Sequence, residues 1–209
     1  MKKINLILNY FNSLYPNPEC ALNYSSPYEL LVAVILSAQC TDKRVNIVTK
    51  DLFKIANVPE QMISLGESKL KEIIYPGGFY NNKAKSIISM SKELIKKFKC
   101  VVPATLEELT CLDGVGRKTA NVVMSVAFNK QTIAVDTHVH RVSKRLGLTK
   151  QNSTPLNCEM DLLKIIPQNK QSKFHHQTIW FGRDICKAQN PKCEICELKN
   201  ICNYYKNKK

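Results

Sequence analysis

The chain has 209 residues, enough for one large domain or two small ones, and 44% of them are hydrophobic, which excludes a disordered chain. Lys and Arg number 31 against 17 Asp and Glu, a formal net charge of +14, and an excess of that size points to a polyanionic partner. No apolar run reaches bilayer length, the longest being LLVAVIL at 30–36, so no membrane partner is expected; MKKINLILNYF lacks the continuous apolar core of a signal peptide, and the cytoplasm is the expected compartment.

Helix signals dominate in chain order. Ser26-Pro27-Tyr28-Glu29 reads as a capping box with Pro at the first helical position, opening a helix to about Ala38 that is apolar nearly all round and therefore buried. Thr41 caps a helix from Asp42 to about Ile55, Pro59 opens a short one, and Glu67 to Ile74 forms another. Pro76-Gly77-Gly78 is a turn, after which Asn82 is read as the cap of a helix over 83–98. Its Ile87, Ile88, Met90, Leu94, Ile95 and Phe98 make an inward stripe, and Lys83, Lys85, Lys92, Lys96 and Lys97 fall mostly outside it, as on a solvated face. Thr105-Leu106-Glu107-Glu108 is a second capping box, followed by a short helix, a glycine turn and a helix over 117–128. Residues 132–135 read as a buried connector, Asp136 caps a helix to about Leu146, and further helices cover roughly 155–166 and 173–185. The fold class is all-α.

Two helices joined through Leu112-Asp113-Gly114-Val115-Gly116-Arg117-Lys118-Thr119-Ala120 form a helix-hairpin-helix unit over about 105–128. Glycine lets another backbone approach closely, and the first amides of the second helix point outward without intrahelical partners. The helix dipole and Arg117 add positive potential, so a DNA phosphate is the natural ligand and the contact carries no sequence information. A nucleotide-binding P-loop is excluded, because it needs four residues between its glycines and here there is one. Gly114, Val115, Gly116 and Arg117 are the candidate phosphate contacts. His138 and His140 stand two apart on one helix, on different sides of it, and carry no expected ligand role.

Nine cysteines are unevenly spread, with Cys186, Cys193, Cys196 and Cys202 in one C-x6-C-x2-C-x5-C array. An odd total argues against a disulfide framework, whereas clustering of four thiols is what a metal site produces. Zinc and an iron–sulfur cluster both accept four thiolates; the spacing by itself leaves the two open.

LDGVGRKTANVV, followed about fifteen residues later by IAVDTHVHRV, together with SAQCTD at 37–42 and the cysteine array, resembles the endonuclease III family of DNA repair glycosylases over essentially the whole chain. The resemblance implies two helical domains with a DNA-binding cleft: a barrel over 21–132, and a cluster domain built from 1–20 and 133–209 with a 4Fe–4S cluster in loop 186–202. It implies that Cys186, Cys193, Cys196 and Cys202 hold the cluster. It gives Lys118 the role of the amine that forms a Schiff base with the sugar; a cation at a helix start faces the unfavourable dipole end, and that position together with partial burial favours the neutral amine. It gives Asp136 the role of a carboxylate that stabilises the cationic sugar and activates that amine. It implies that Gln39 and Phe79 fill the gap left when a nucleotide is extruded, Phe79 standing where Leu is usual; Cys40 and His140 also depart from the family pattern.

The expected activity is that of a monomeric, bifunctional glycosylase and abasic-site lyase acting on oxidised pyrimidines in duplex DNA. A water-using mismatch glycosylase is the first rival, and Lys118 speaks against it. A non-catalytic DNA-binding module with a structural metal is the second, and an electron carrier the third.

Overall fold

The computed structural model describes residues 3–207, and among them every regular element is helical. Residues 20–129 form one compact unit, and the chain before and after that stretch forms the other. After α1 (Lys3–Leu14), which belongs to the second unit, come α2 (Pro27–Leu36), α3 (Asp42–Ile55), α4 (Pro59–Leu65), α5 (Glu67–Ile74), α6 (Tyr80–Phe98), α7 (Leu106–Thr110) and α8 (Arg117–Phe128).

In the unit of residues 20–129, α2 is the core helix. Ser26 accepts the Glu29 amide at its start, and every residue from Tyr28 to Leu36 is buried, as an all-round apolar sequence requires. The Glu29 carboxylate returns not to Ser26 but to the Ser25 amide, at 2.6 Å. Around α2 pack α3, α6 and α8, and α6 in turn carries α4 and α5. The Ile87, Ile88, Met90 and Leu94 stripe of α6 is buried, whereas Ile95 is turned out to solvent.

Two expectations for α6 fail. Asn82 is not its cap: the helix begins at Tyr80, behind Phe79 at φ +52°. The left-handed pair Gly78 and Phe79 turns the chain abruptly enough to start the helix three residues early. Nor is Lys83 on the solvated face, since only 6% of it is exposed. The early start rotates it toward the preceding turn, where its ammonium donates to the Gly77 carbonyl.

In the other unit, α9 (Thr137–Leu146), α10 (Pro155–Ile165), α11 (Gln171–Asp184) and α12 (Asn203–Lys206) join α1. Phe11 stacks on Phe174 at 5.8 Å and tilts against Phe181 at 4.9 Å, tying α1 to α11. The connector before α9 is buried through Ile133, Ala134 and Val135 and forms no strand. Residues 186–202 contain only a single 3-10 turn, Lys199–Ile201.

Candidate nucleic-acid interface and metal centre

The hairpin is fixed from inside. Leu112 and Val115 are buried, and the Val115 amide donates to the Leu112 carbonyl at 3.1 Å. The Val115 side chain therefore faces the core and its amide is engaged in the turn, so it anchors the loop from beneath. Glu93 of α6 braces the turn from the side, accepting the Asp113 amide at 2.8 Å with one oxygen and the Lys97 ammonium at 2.9 Å with the other. Burial opposes ionisation of Glu93, but Lys97 and the Asp113 amide outweigh it and hold the carboxyl below its ordinary range.

The two glycines differ. Gly114 has φ +75°, and a Cβ on it would stand 2.7 Å from the Ser86 Cβ, so the fold itself demands glycine there. Gly116 has φ −83° and caps α8, and a Cβ on it would meet nothing within 4 Å. Nothing inside the chain requires that glycine. An external backbone or phosphate approaching closely would.

Lys118 lies in the first turn of α8, and its side chain is exposed. The partial burial expected of it is not found; the helix terminus, with Arg117 alongside, is what surrounds it. Gln39 and Phe79 are both exposed and both left-handed, at φ 53° and 52°. Non-glycine residues in this region are uncommon, and strained backbone of this kind gathers at functional sites. Phe79 is 62% exposed and takes no part in the core.

Asp136 caps α9, its Oδ1 accepting the Val139 amide at 2.7 Å. The cap uses one oxygen and mounts the carboxylate rigidly at the helix start. The same helix grips the cysteine loop further along. Arg141 donates to the Cys186 carbonyl at 3.2 Å and to Gly182 at 2.9 Å. Arg145 donates to the Lys187 and Ala188 carbonyls at 2.6 and 3.0 Å, reaches the Cys186 sulfur at 3.5 Å, and lies 4.3 Å over the Tyr204 ring. Neither arginine was singled out from the sequence, yet a signal existed: the chain has only five arginines among its 31 basic residues, and two of them stand four apart on the helix behind Asp136. A Lys-rich chain uses Arg where a forked donor is needed. His140 Nε2 donates to the Ser153 carbonyl, 2.8 Å away, and His138 Nδ1 lies 3.1 Å from the Arg141 guanidinium.

Cys186, Cys193, Cys196 and Cys202 line one cavity with Leu146, Phe181 and Ile185. Among the described residues no three side chains of ligand type converge on a point as around a single ion. Four cysteines lining one cavity fit a four-thiolate centre, zinc or an iron–sulfur cluster. Burial pushes the Cys196 thiol up to about 11 and raises Cys186 as well, with Arg145 working against the latter shift.

Comparison with known proteins decides the family. The profile of the HhH-GPD superfamily of base excision DNA repair proteins matches residues 32–168, and that of the iron–sulfur binding domain of endonuclease III matches 186–202. The chain is 48% identical over 204 residues to endonuclease III of Rickettsia prowazekii, covering 98% of this chain and 96% of that one. It is 47% identical to endonuclease III of Bacillus subtilis, covering 97% and 92%.

The chain belongs to the endonuclease III family. A solved structure of a trapped endonuclease III–DNA covalent intermediate matches with a TM-score of 0.95 at 46% identity, covering 100% of this chain and 99% of that one. A non-covalent endonuclease III–DNA complex matches equally well, at 0.95 and 45%. Membership makes this a base excision DNA repair protein, and its cofactor is a 4Fe–4S cluster. No helix among the described residues is long and apolar enough to cross a membrane.

Proposed function

We propose that this member of the endonuclease III family removes oxidised pyrimidines from duplex DNA and cleaves the abasic site it creates, with Lys118 as nucleophile and Asp136 as the carboxylate partner. The observation that carries the reading is the hairpin: an exposed amine one residue inside α8, beside a glycine whose Cβ position is open to an approaching ligand. The outward amides of that helix start, from Gly116 and Arg117 onward, take a phosphate and present the adjoining sugar.

In the reaction, the Lys118 amine gives up a proton and its lone pair forms a bond to C1′ of the damaged nucleotide, Asp136 being the carboxylate assigned to help activate it. The glycosidic bond breaks, and the base leaves with the bonding electrons and gains a proton. The sugar ring opens to an imine on Nζ. Loss of a C2′ proton then expels the 3′ phosphate by β-elimination. A carboxylate fixed by its cap also stabilises positive charge developing on the sugar. Gln39 and Phe79 fill the gap left by the extruded nucleotide. Cys186, Cys193, Cys196 and Cys202 hold the cluster, which ties together a loop with almost no regular structure of its own. The protein works in the cytoplasm, where an odd set of cysteines stays reduced, and as a monomer.

The test is borohydride trapping on duplex DNA with one abasic site. Wild type yields a covalent adduct and Lys118→Ala yields none. Absence of an adduct from folded, cluster-loaded wild type would replace this reading with a water-using glycosylase, or, if base removal is also absent, with a plain DNA-binding module.

A further inference from the structure

Lys83 is a buried cation for which the reaction above has no use. Lysine is almost never buried without a partner, because desolvating an ammonium is unfavourable. Its described partner is a single carbonyl: Nζ donates to Gly77 at 3.0 Å. An unbranched apolar side chain such as Met would fill the same space. The amine is therefore there for its donor.

What that donor holds is specific. The Lys83 amide donates to the Phe79 carbonyl at 3.1 Å, while its side chain holds Gly77. One residue thus brackets Gly78 and Phe79, both left-handed, at φ +67° and +52°. Gly77 is buried, Phe79 is exposed, and no side chain caps the helix at this end. A left-handed aromatic residue persists only when its surroundings over-determine it. Gln39, the other residue assigned to the gap, is likewise exposed at φ +53°.

We propose that Lys83 is the positioning residue of the gap-filling Phe79 turn: it locks Gly77–Phe79 so that the Phe79 ring projects in one orientation. This rests on the reading that Gln39 and Phe79 occupy the gap in the duplex. Without the Gly77 bond, Phe79 relaxes toward an ordinary backbone conformation and its ring no longer meets an opened base stack. Only substrates in which a stack must be filled depend on the lock.

The experiment compares strand cleavage at an abasic site in a duplex with cleavage of the same abasic strand alone, using cluster-loaded wild type, Lys83→Met, Phe79→Ala and Gln39→Ala. Thermal melts and visible cluster absorption monitor the fold. In Lys83→Met the duplex-to-single-strand rate ratio falls by about tenfold or more, as misplacement of a positioning group predicts. Hydrogen exchange speeds up in residues 76–80 but not in the rest of α6. If Lys83→Met does not accumulate folded, Lys83→Gln is measured instead, since its shorter side chain falls short of Gly77. Equal loss on both substrates, or an unchanged ratio while Phe79→Ala or Gln39→Ala lowers it, overturns the role of Lys83. Unchanged ratios in both Phe79→Ala and Gln39→Ala overturn the gap-filling reading itself and the proposal with it.

Discussion

The hairpin turn and the cysteine loop are both irregular segments that must hold a fixed shape, and they do so by opposite means. The hairpin turn is held from beneath by apolar burial. Leu112 and Val115 plug into a core centred on α2, and Gly114 lets the chain lie against Ser86. The cysteine loop has few buried side chains between 186 and 202, Leu198 being one, and it is gripped by forked donors from α9. Hydrophobic burial suits a surface that must bind and release a ligand without changing shape. Polar grips on carbonyls suit a loop whose four sulfurs must stay free for metal, since an arginine can hold a backbone without occupying a thiol.

The contrast is broken most strongly through the cluster. Cys196→Ser abolishes the visible absorption of the 4Fe–4S centre and makes the loop around 186–202 sensitive to limited proteolysis, while residues 20–129 stay protected. Ligand-set stability of this kind is folding stability for the segment it closes. Simultaneous digestion of both units would show that the hairpin depends on the cluster and would remove the distinction.

Next in size is Gly114→Ala. It places an L-residue at φ +75° and drives its Cβ against the Ser86 Cβ, so a loss of about 3 kcal/mol is expected in denaturant melts. Ser86→Gly in the same chain relieves the contact but not the backbone strain. A double-mutant cycle therefore shows coupling of about 1 kcal/mol or more. On the polar side of the comparison, Arg145→Ala removes two carbonyl bonds and the stacking on Tyr204. It lowers stability by about 2 kcal/mol and speeds loss of the cluster under chelator, with Lys restoring little because it lacks the fork.

Much of this was legible beforehand because helix caps are local. Ser26, Thr41, Thr105 and Asp136 all accept an amide from their own helix starts, and a cap needs only three residues of sequence to be recognised. Lys83 and Val115 were not legible, because their surroundings are set by backbone conformations that no residue type announces. A Phe at φ +52° starts α6 early and turns a surface lysine inward. A valine between two glycines reads as a loop tip, whereas the left-handed Gly114 folds it under into the core. The arginine grip was hidden for another reason: its acceptors are carbonyls about 40 residues away, which leave no trace in the sequence of the loop.

Glu93 tests the hairpin by pH. Its carboxyl is depressed in the folded chain, so its contribution is present above the unfolded value and is lost as pH falls through the folded one. Glu93→Gln is therefore less stable than wild type at neutral pH by about 1 kcal/mol, because glutamine still accepts the Asp113 amide but loses the charge that strengthens that bond and pairs with Lys97. The difference vanishes in acid, below the ordinary carboxylate range near 4.5. A gap between the two proteins that persists there would mean that Glu93 braces the turn by packing rather than by charge.

The smallest effect on stability separates fold from function most cleanly. Gly116→Ala leaves an ordinary φ of −83° undisturbed and adds a Cβ into open space, so melts shift by no more than about 0.5 kcal/mol, and alanine even reduces the freedom of the unfolded chain. DNA affinity nonetheless falls, because the methyl group stands where a phosphate must approach the first amides of α8. Since the lost contact is to a backbone amide and not to a cation, the salt dependence of binding keeps its slope while the affinity drops at every salt concentration. Lys118→Ala differs in that respect, flattening the slope if its amine is charged in the encounter. A Gly116→Ala protein that binds DNA as wild type does would leave that glycine without a reason on either side of the turn.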